Sequence, residues 1–265
     1  MTTPNYRYYI RGHCAGPIDE KPAVIGRRFL QTLDSLSEID PLFTGWKVFE
    51  RWEIVEKEEQ LLVSLADARN RIVEIVENCV AHNEYGPAPK EGYDVAAYAG
   101  ARGARKVTFT VRTWNQIFML EFGEHYLASD LSIVTYPRFR AALLAICRAW
   151  DAQWAAAQAC RSEFVKTPMD FGPGVPAFKI ETATQVPIDP TFPRSALFIP
   201  WIAYLSAKRA AGVALAPEIL TERTPDDGLL MSATTERLDP TNPAHVRHAR
   251  IIAETLIPLT DQGMP

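Results

Sequence analysis

The sequence of 265 residues has little that announces a chemistry. Its four cysteines, Cys14, Cys79, Cys147 and Cys160, lie far apart and form no CxxC pair. Zinc sites draw on closely spaced ligands, so no metal is expected. The thiols read instead as small buried hydrophobes of a reducing compartment. No run of 18 apolar residues occurs, so no membrane-spanning helix and no membrane partner are expected. The opening Met1-Thr-Thr-Pro-Asn-Tyr-Arg7 lacks a charged stretch followed by an apolar one. A signal peptide is therefore not expected, and a cytoplasmic location is. The GxSxG, GxxxxGK, HExxH and GxGxxG patterns are all missing. No nucleophile stands beside a base and no ligand set is spaced for a metal, so no catalytic residue and no cofactor are expected. The expectation is a protein that is not an enzyme.

What is present is the balance of an ordinary globular chain, with 47% hydrophobic and 23% charged residues. The net charge is −4, from 28 basic and 32 acidic groups, and it is unevenly placed. Residues 50–94 hold eleven acidic groups against five basic ones, a local charge of −6, while the remainder sums to +2. A phosphate backbone is held by Lys and Arg, so direct nucleic-acid binding is not expected there. The same excess suits a basic partner. Candidate partner-binding residues are Glu53, Glu56, Glu58, Glu59, Asp67, Glu74 and Glu77.

Periodicity divides the chain into elements. Tyr6, Tyr8 and Ile10 alternate with arginine and tyrosine, which predicts a strand over 5–11. Ile25, Phe29, Leu33 and Leu36 predict an amphipathic helix over 20–37, ended by Asp40-Pro41. Leu61, Leu65, Ala68, Ile72, Val76, Cys79 and Val80 form one stripe of a helix over 58–81, with Asp67, Asn70, Arg71, Glu74, Glu77 and Asn78 facing outward. Glu53, Glu56, Glu58 and Glu59 come before or at its start, and some of them would then lie near that helix's N-terminus, where acidic groups suit the dipole. Strands are predicted at 95–99, 107–112 and 117–122, with a tight turn near Asn115. A second long helix opens at Tyr136-Pro137 and runs through the alanines to about 160. Residues 166–195 are rich in proline and predict a long irregular connection with a strand near 177–182. The apolar run from Trp201 to about 211 reads as helical, and Pro225-Asp-Asp-Gly228 signals a hairpin. Asn242-Pro243 starts a last helix bearing Val246, Ile251, Ile252 and Leu256. Hairpins outnumber βαβ alternation, which predicts an α+β fold with a mainly antiparallel sheet packed against several amphipathic helices. The expected organisation is a single domain over 1–265, or two halves, 1–165 and 196–265, joined by the proline-rich connection 166–195.

Weaker patterns resolve to bland readings. His245 and His248 share a helix face and read as surface or capping residues. Glu163-Phe-Val-Lys166 has a nuclease-like ExK spacing, but it reads as a solvated helix end. His13 and Cys14 fall in a loop over 13–17, and adjacent residues on a strand or loop point apart, so they do not read as a nucleophile–base pair. Trp114, Trp150, Trp154 and Trp201 read as core aromatics.

Two stretches carry a resemblance. The first is Tyr8-Tyr-Ile-Arg-Gly12 with Gly16-Pro17, then Glu38-Ile-Asp-Pro41 and Trp46. The second is Trp201-Ile-Ala-Tyr-Leu-Ser206, Asp227-Gly228 and the run from Glu236 to Val246. Together they resemble the immunity protein 52 family across most of the chain. The resemblance implies an antidote in a bacterial polymorphic toxin system. Its partner would be a cognate toxin, a nuclease effector of restriction-endonuclease fold delivered by type VI secretion. It implies no catalytic residues. The competing readings are a small-molecule enzyme with an unrecognised site and a secretion-system adaptor.

Overall fold

The computed structural model describes residues 5–14, 16–17, 20–50, 62–80, 92–100, 107–123, 129–169, 178–186 and 199–260. The side chains of residues 5, 161–169, 178–186, 199 and 257–260 lie outside that description. The early alternation forms strand β1 (Asn5–His13), two residues longer than its apolar pattern. β1 is central, paired on one side to β6 (Ile117–Phe122) and on the other to β7 (Trp154–Met169). Beyond β6 the sheet continues through β5 (Val107–Arg112), β4 (Asp94–Ala99), β2 (Lys47–Phe49) and β3 (Leu62–Ser64). Beyond β7 it continues through β9 (Ile199–Leu205), β11 (Leu229–Ser232) and β10 (Leu220–Arg223), while β8 (Phe178–Val186) pairs the far half of β7. Among the described residues every strand pairing is antiparallel and eleven strands form one sheet, which makes this an α+β fold.

Helices α1 (Pro22–Ile39) and α4 (Tyr136–Ala149) cover the sheet face that carries Tyr8, Ile10 and Phe122. Phe29 of α1 stacks on Phe109 of β5 at 5.6 Å, and Phe139 of α4 stacks on Phe122 at 4.1 Å. Trp201 joins that cluster 5.2 Å from Phe139. The last helix, α6 (Pro243–Thr260), packs on β9 and β11. Trp150 and Trp201 are fully buried, whereas Trp114 and Trp154 are half-buried. All four cysteines are buried, and none is in a disulfide. Burial pushes the Cys14 thiol up to about 12 and Cys147 well above its usual value, so both stay protonated at neutral pH. Among the described residues, no helix is long and apolar enough to cross a membrane.

Four predicted elements are corrected. The helix expected over 58–81 is instead strand β3 followed by two short helices, α2 (Leu65–Arg69) and α3 (Ile72–Asn78). Ser64 explains the start: its hydroxyl accepts the Asp67 N–H at 3.2 Å and so caps α2. The described residues 62–78 thus contain no long helix of the kind expected, and Glu53, Glu56, Glu58 and Glu59 lie outside the described residues. The helix expected to reach 160 stops at Ala149. Asp151 takes a left-handed conformation (φ 47°), and the Ala152 N–H reaches back to the Cys147 carbonyl at 2.9 Å, a Schellman ending. The alanines that follow belong to β7. The apolar run from Trp201 is β9, between β7 and β11, with a single helical turn, α5 (Ala207–Ala210), behind it. Residues 163–166 lie in β7 and are not a helix end, and strands β7 and β8 enter the connection expected to be irregular. The expected start of a strand at Ala177 lies outside the described residues.

Candidate functional site

The acidic candidates separate into two groups. Glu53, Glu56, Glu58 and Glu59 lie outside the described residues. Asp67, Glu74 and Glu77 are exposed on α2 and α3, opposite the buried stripe of Ala68, Ile72, Val76 and Cys79, as the periodicity predicts. Val80, placed in that stripe by its spacing, is instead 36% exposed. Not all of the exposed charge is free. Arg71 grips Glu74 through Nε at 3.1 Å and Nη2 at 2.9 Å, and also bonds Glu50. These contacts raise the Arg71 pKa and hold the Glu74 carboxyl below its usual range, so both remain ionised. Asp67 accepts the Ser64 hydroxyl at 2.7 Å. Glu77 enters no ion pair among the described residues.

Beside this surface lies a groove between α1 and α3. Gly26 sets it: a β-carbon there would stand 3.1 Å from Ile72 Cγ1, so glycine allows the two helices to approach closely. Ala23, Leu30 and Ile72 give the groove its apolar lining, and Arg27, Gln31, Asp34 and Ser35 complete it, around about 460 Å³. Asp34 is bonded by Arg69 of α2, with Nη1 to Oδ2 at 3.1 Å. Sequence reading singled out only the core stripe of α1. The signal it passed over is a second stripe, Ala23, Arg27, Leu30, Gln31 and Asp34, at spacings of three, four, seven and eight that mark one helix face.

The histidines serve as local anchors. His245 Nδ1 accepts the Asp239 N–H at 3.1 Å, and His248 Nδ1 lies 3.0 Å from the Ala233 carbonyl. His13 ends β1, while the neighbouring Cys14 is buried and its N–H bonds the Gln116 carbonyl. Among the described residues, no three His, Cys, Asp or Glu side chains are placed to hold a metal ion. The arrangement offers an exposed, charged and partly apolar helical surface, suited to binding a macromolecule.

The model of the immunity protein 52 family matches residues 7–259, nearly the whole chain, and the chain belongs to that family. It is thus a member of an immunity-protein family, whose role is to bind a cognate toxin. No curated protein matches it. The structure of the Pseudomonas aeruginosa T6SS protein PA0821 is 13% identical, with 95% of this chain and 76% of that chain covered at a TM-score of 0.47.

Proposed function

We propose that this protein neutralises one cognate toxin by occupancy, in the cytoplasm, without turning anything over. The observation that carries the reading is the family match over 7–259. The toxin we assign is a nuclease effector of restriction-endonuclease fold delivered by type VI secretion, as the family resemblance implies. Charge supports this choice, since a nuclease presents a basic cleft to phosphates and residues 50–94 carry −6. The partner-facing residues are Glu53, Glu56, Glu58, Glu59, Asp67, Glu74 and Glu77. Pairing of β9 onto β7 runs the sheet across both halves of the sequence and supports a single domain over 1–265.

The test is a titration. A candidate toxin, taken from a reading frame adjacent to this gene, is assayed for plasmid cleavage at a fixed concentration while the protein is added. Cleavage should fall linearly and stop at a fixed molar ratio. Protection by a small fraction of one equivalent would show turnover and overturn occupancy. Toxin that cleaves no nucleic acid would overturn the nuclease assignment.

A further inference from the structure

Exposed charge alone seldom holds two proteins together, because rim ion pairs act mainly on encounter rate. A lasting complex needs an apolar anchor that becomes fully desolvated. The α1–α3 groove has the features of such an anchor site. Its lining includes Ala23, Leu30 and Ile72, at the close helix crossing that Gly26 permits. Val73, 40% exposed, and Val80 place further apolar surface on the same helix pair or just beyond it.

Charge indicates what fits. Asp34 is already neutralised by Arg69, whereas Asp67, Glu77 and the Glu50–Arg71–Glu74 cluster leave α2 and α3 with an acidic excess. Arg27 is the opposing charge at the other side of the groove. We infer that the α1–α3 groove takes an apolar side chain of the cognate toxin, carried on a cationic segment that runs over α3. The inference rests on the toxin-binding reading above and names the anchor within it. The groove sets the lifetime of the complex, and the acidic residues on the outward face of α2 and α3 set how fast it forms.

Two variants close the groove without changing charge: Gln31→Trp and Ala23→Trp, both at exposed positions. Leu220→Gln, at a 51% exposed site on β10, is the control. Each purified full-length protein is measured by surface plasmon resonance against the neighbouring toxin, carrying an inactivated active site, and by thermal melting. Both groove variants should melt like wild type, associate at close to its rate and dissociate at least tenfold faster, while Leu220→Gln dissociates like wild type. Unchanged or slower dissociation of both groove variants, with wild type binding normally, overturns the anchor and leaves the toxin-binding reading standing. Equal loosening by Leu220→Gln also overturns it. If wild type does not bind the toxin, the reading beneath it falls as well.

Discussion

Single residues hold the sheet together in ways that composition does not reveal. At Gly12 on β1, an added β-carbon would stand 2.3 Å from Phe118 Cζ on β6, 2.5 Å from Ala155 Cβ on β7 and 2.8 Å from the Trp154 carbonyl. Phe118 and Ala155 are fully buried and cannot retreat. Gly12→Ala should therefore destabilise the protein by about 1–3 kcal/mol, as overpacking of a close-packed core does, and the urea midpoint would read it. Asp94 supplies a second test. Its Oδ2 lies 3.2 Å from Arg112 Nε, directly across the β4–β5 ladder, yet burial pushes its carboxyl up to about 6. A carboxyl with a raised folded-state pKa binds its proton more readily when folded, so its contribution to stability is most favourable below about pH 4 and is lost as pH rises through 6. The shift corresponds to at most about 3 kcal/mol at neutral pH. Asp94→Asn should thus be more stable than wild type at pH 7.5, and the two should converge near pH 4. The comparison cancels the opposite trend from Asp40, Asp226 and Asp239, whose lowered values favour the fold at higher pH. An Asn variant that is less stable at pH 7.5 would show that the Arg112 ion pair outweighs the burial cost.

At the scale of elements, the fold is legible in the sequence where a period is long and its ends are marked. The core stripe of α1, the hairpin around Asp227 and the Asn242-Pro243 start of α6 are all legible, because spacing, turn chemistry and capping agree there. It is hidden where tertiary packing overrides local preference. β7 is a run of alanines that propensity assigns to helix. At the centre of the sheet, Ala155, Ala157 and Ala159 lie opposite Gly12, Ile10 and Tyr8, under helix α4, where small volume matters more than β-branching. The end of α4 was equally hidden, since its left-handed residue is Asp151 and not the usual glycine. Arg28 holds the Asp151 carboxylate at 2.9 Å, a partner 123 residues away in sequence. β9 went unrecognised because a run of apolar residues looks alike in a buried helix and in a strand buried on both faces. Of the candidate surface, the outward phase of Asp67, Glu74 and Glu77 was readable. The groove was not, because it exists only once Gly26 brings α3 onto α1.

For the molecule as a whole, the decisive property is where the charge excess sits relative to the fold. Between 50 and 94 the acidic groups are spread along the chain, and several are already engaged: Glu50 and Glu74 with Arg71, and Asp94 with Arg112. Substituting one exposed carboxylate removes only ~0.2–1 kcal/mol, so the effect on binding has to be sought in clusters and in rates. Two variants separate the contributions. Glu56, Glu58 and Glu59 to Lys changes the local charge by +6, and Glu74 and Glu77 to Lys changes it by +4. Neither should alter the circular dichroism spectrum, since Glu74 and Glu77 are exposed. Long-range attraction raises association above its basal rate and fades with added salt. Both variants should therefore associate with the toxin more slowly at low ionic strength, by roughly 3–10-fold, and their on-rates should depend less steeply on salt. Glu77 has no ion pair to lose among the described residues, whereas replacing Glu74 leaves Arg71 with Glu50 alone. Even so, steering follows summed charge and each substitution adds two positive charges, so Glu74→Lys and Glu77→Lys should each account for a comparable share of the change. Dissociation should move little in either variant, in contrast to the groove substitutions, because steering ends once the complex has formed. If both clusters associate at the wild-type rate at low ionic strength, the acidic surface steers nothing and the toxin approaches from another side of the sheet.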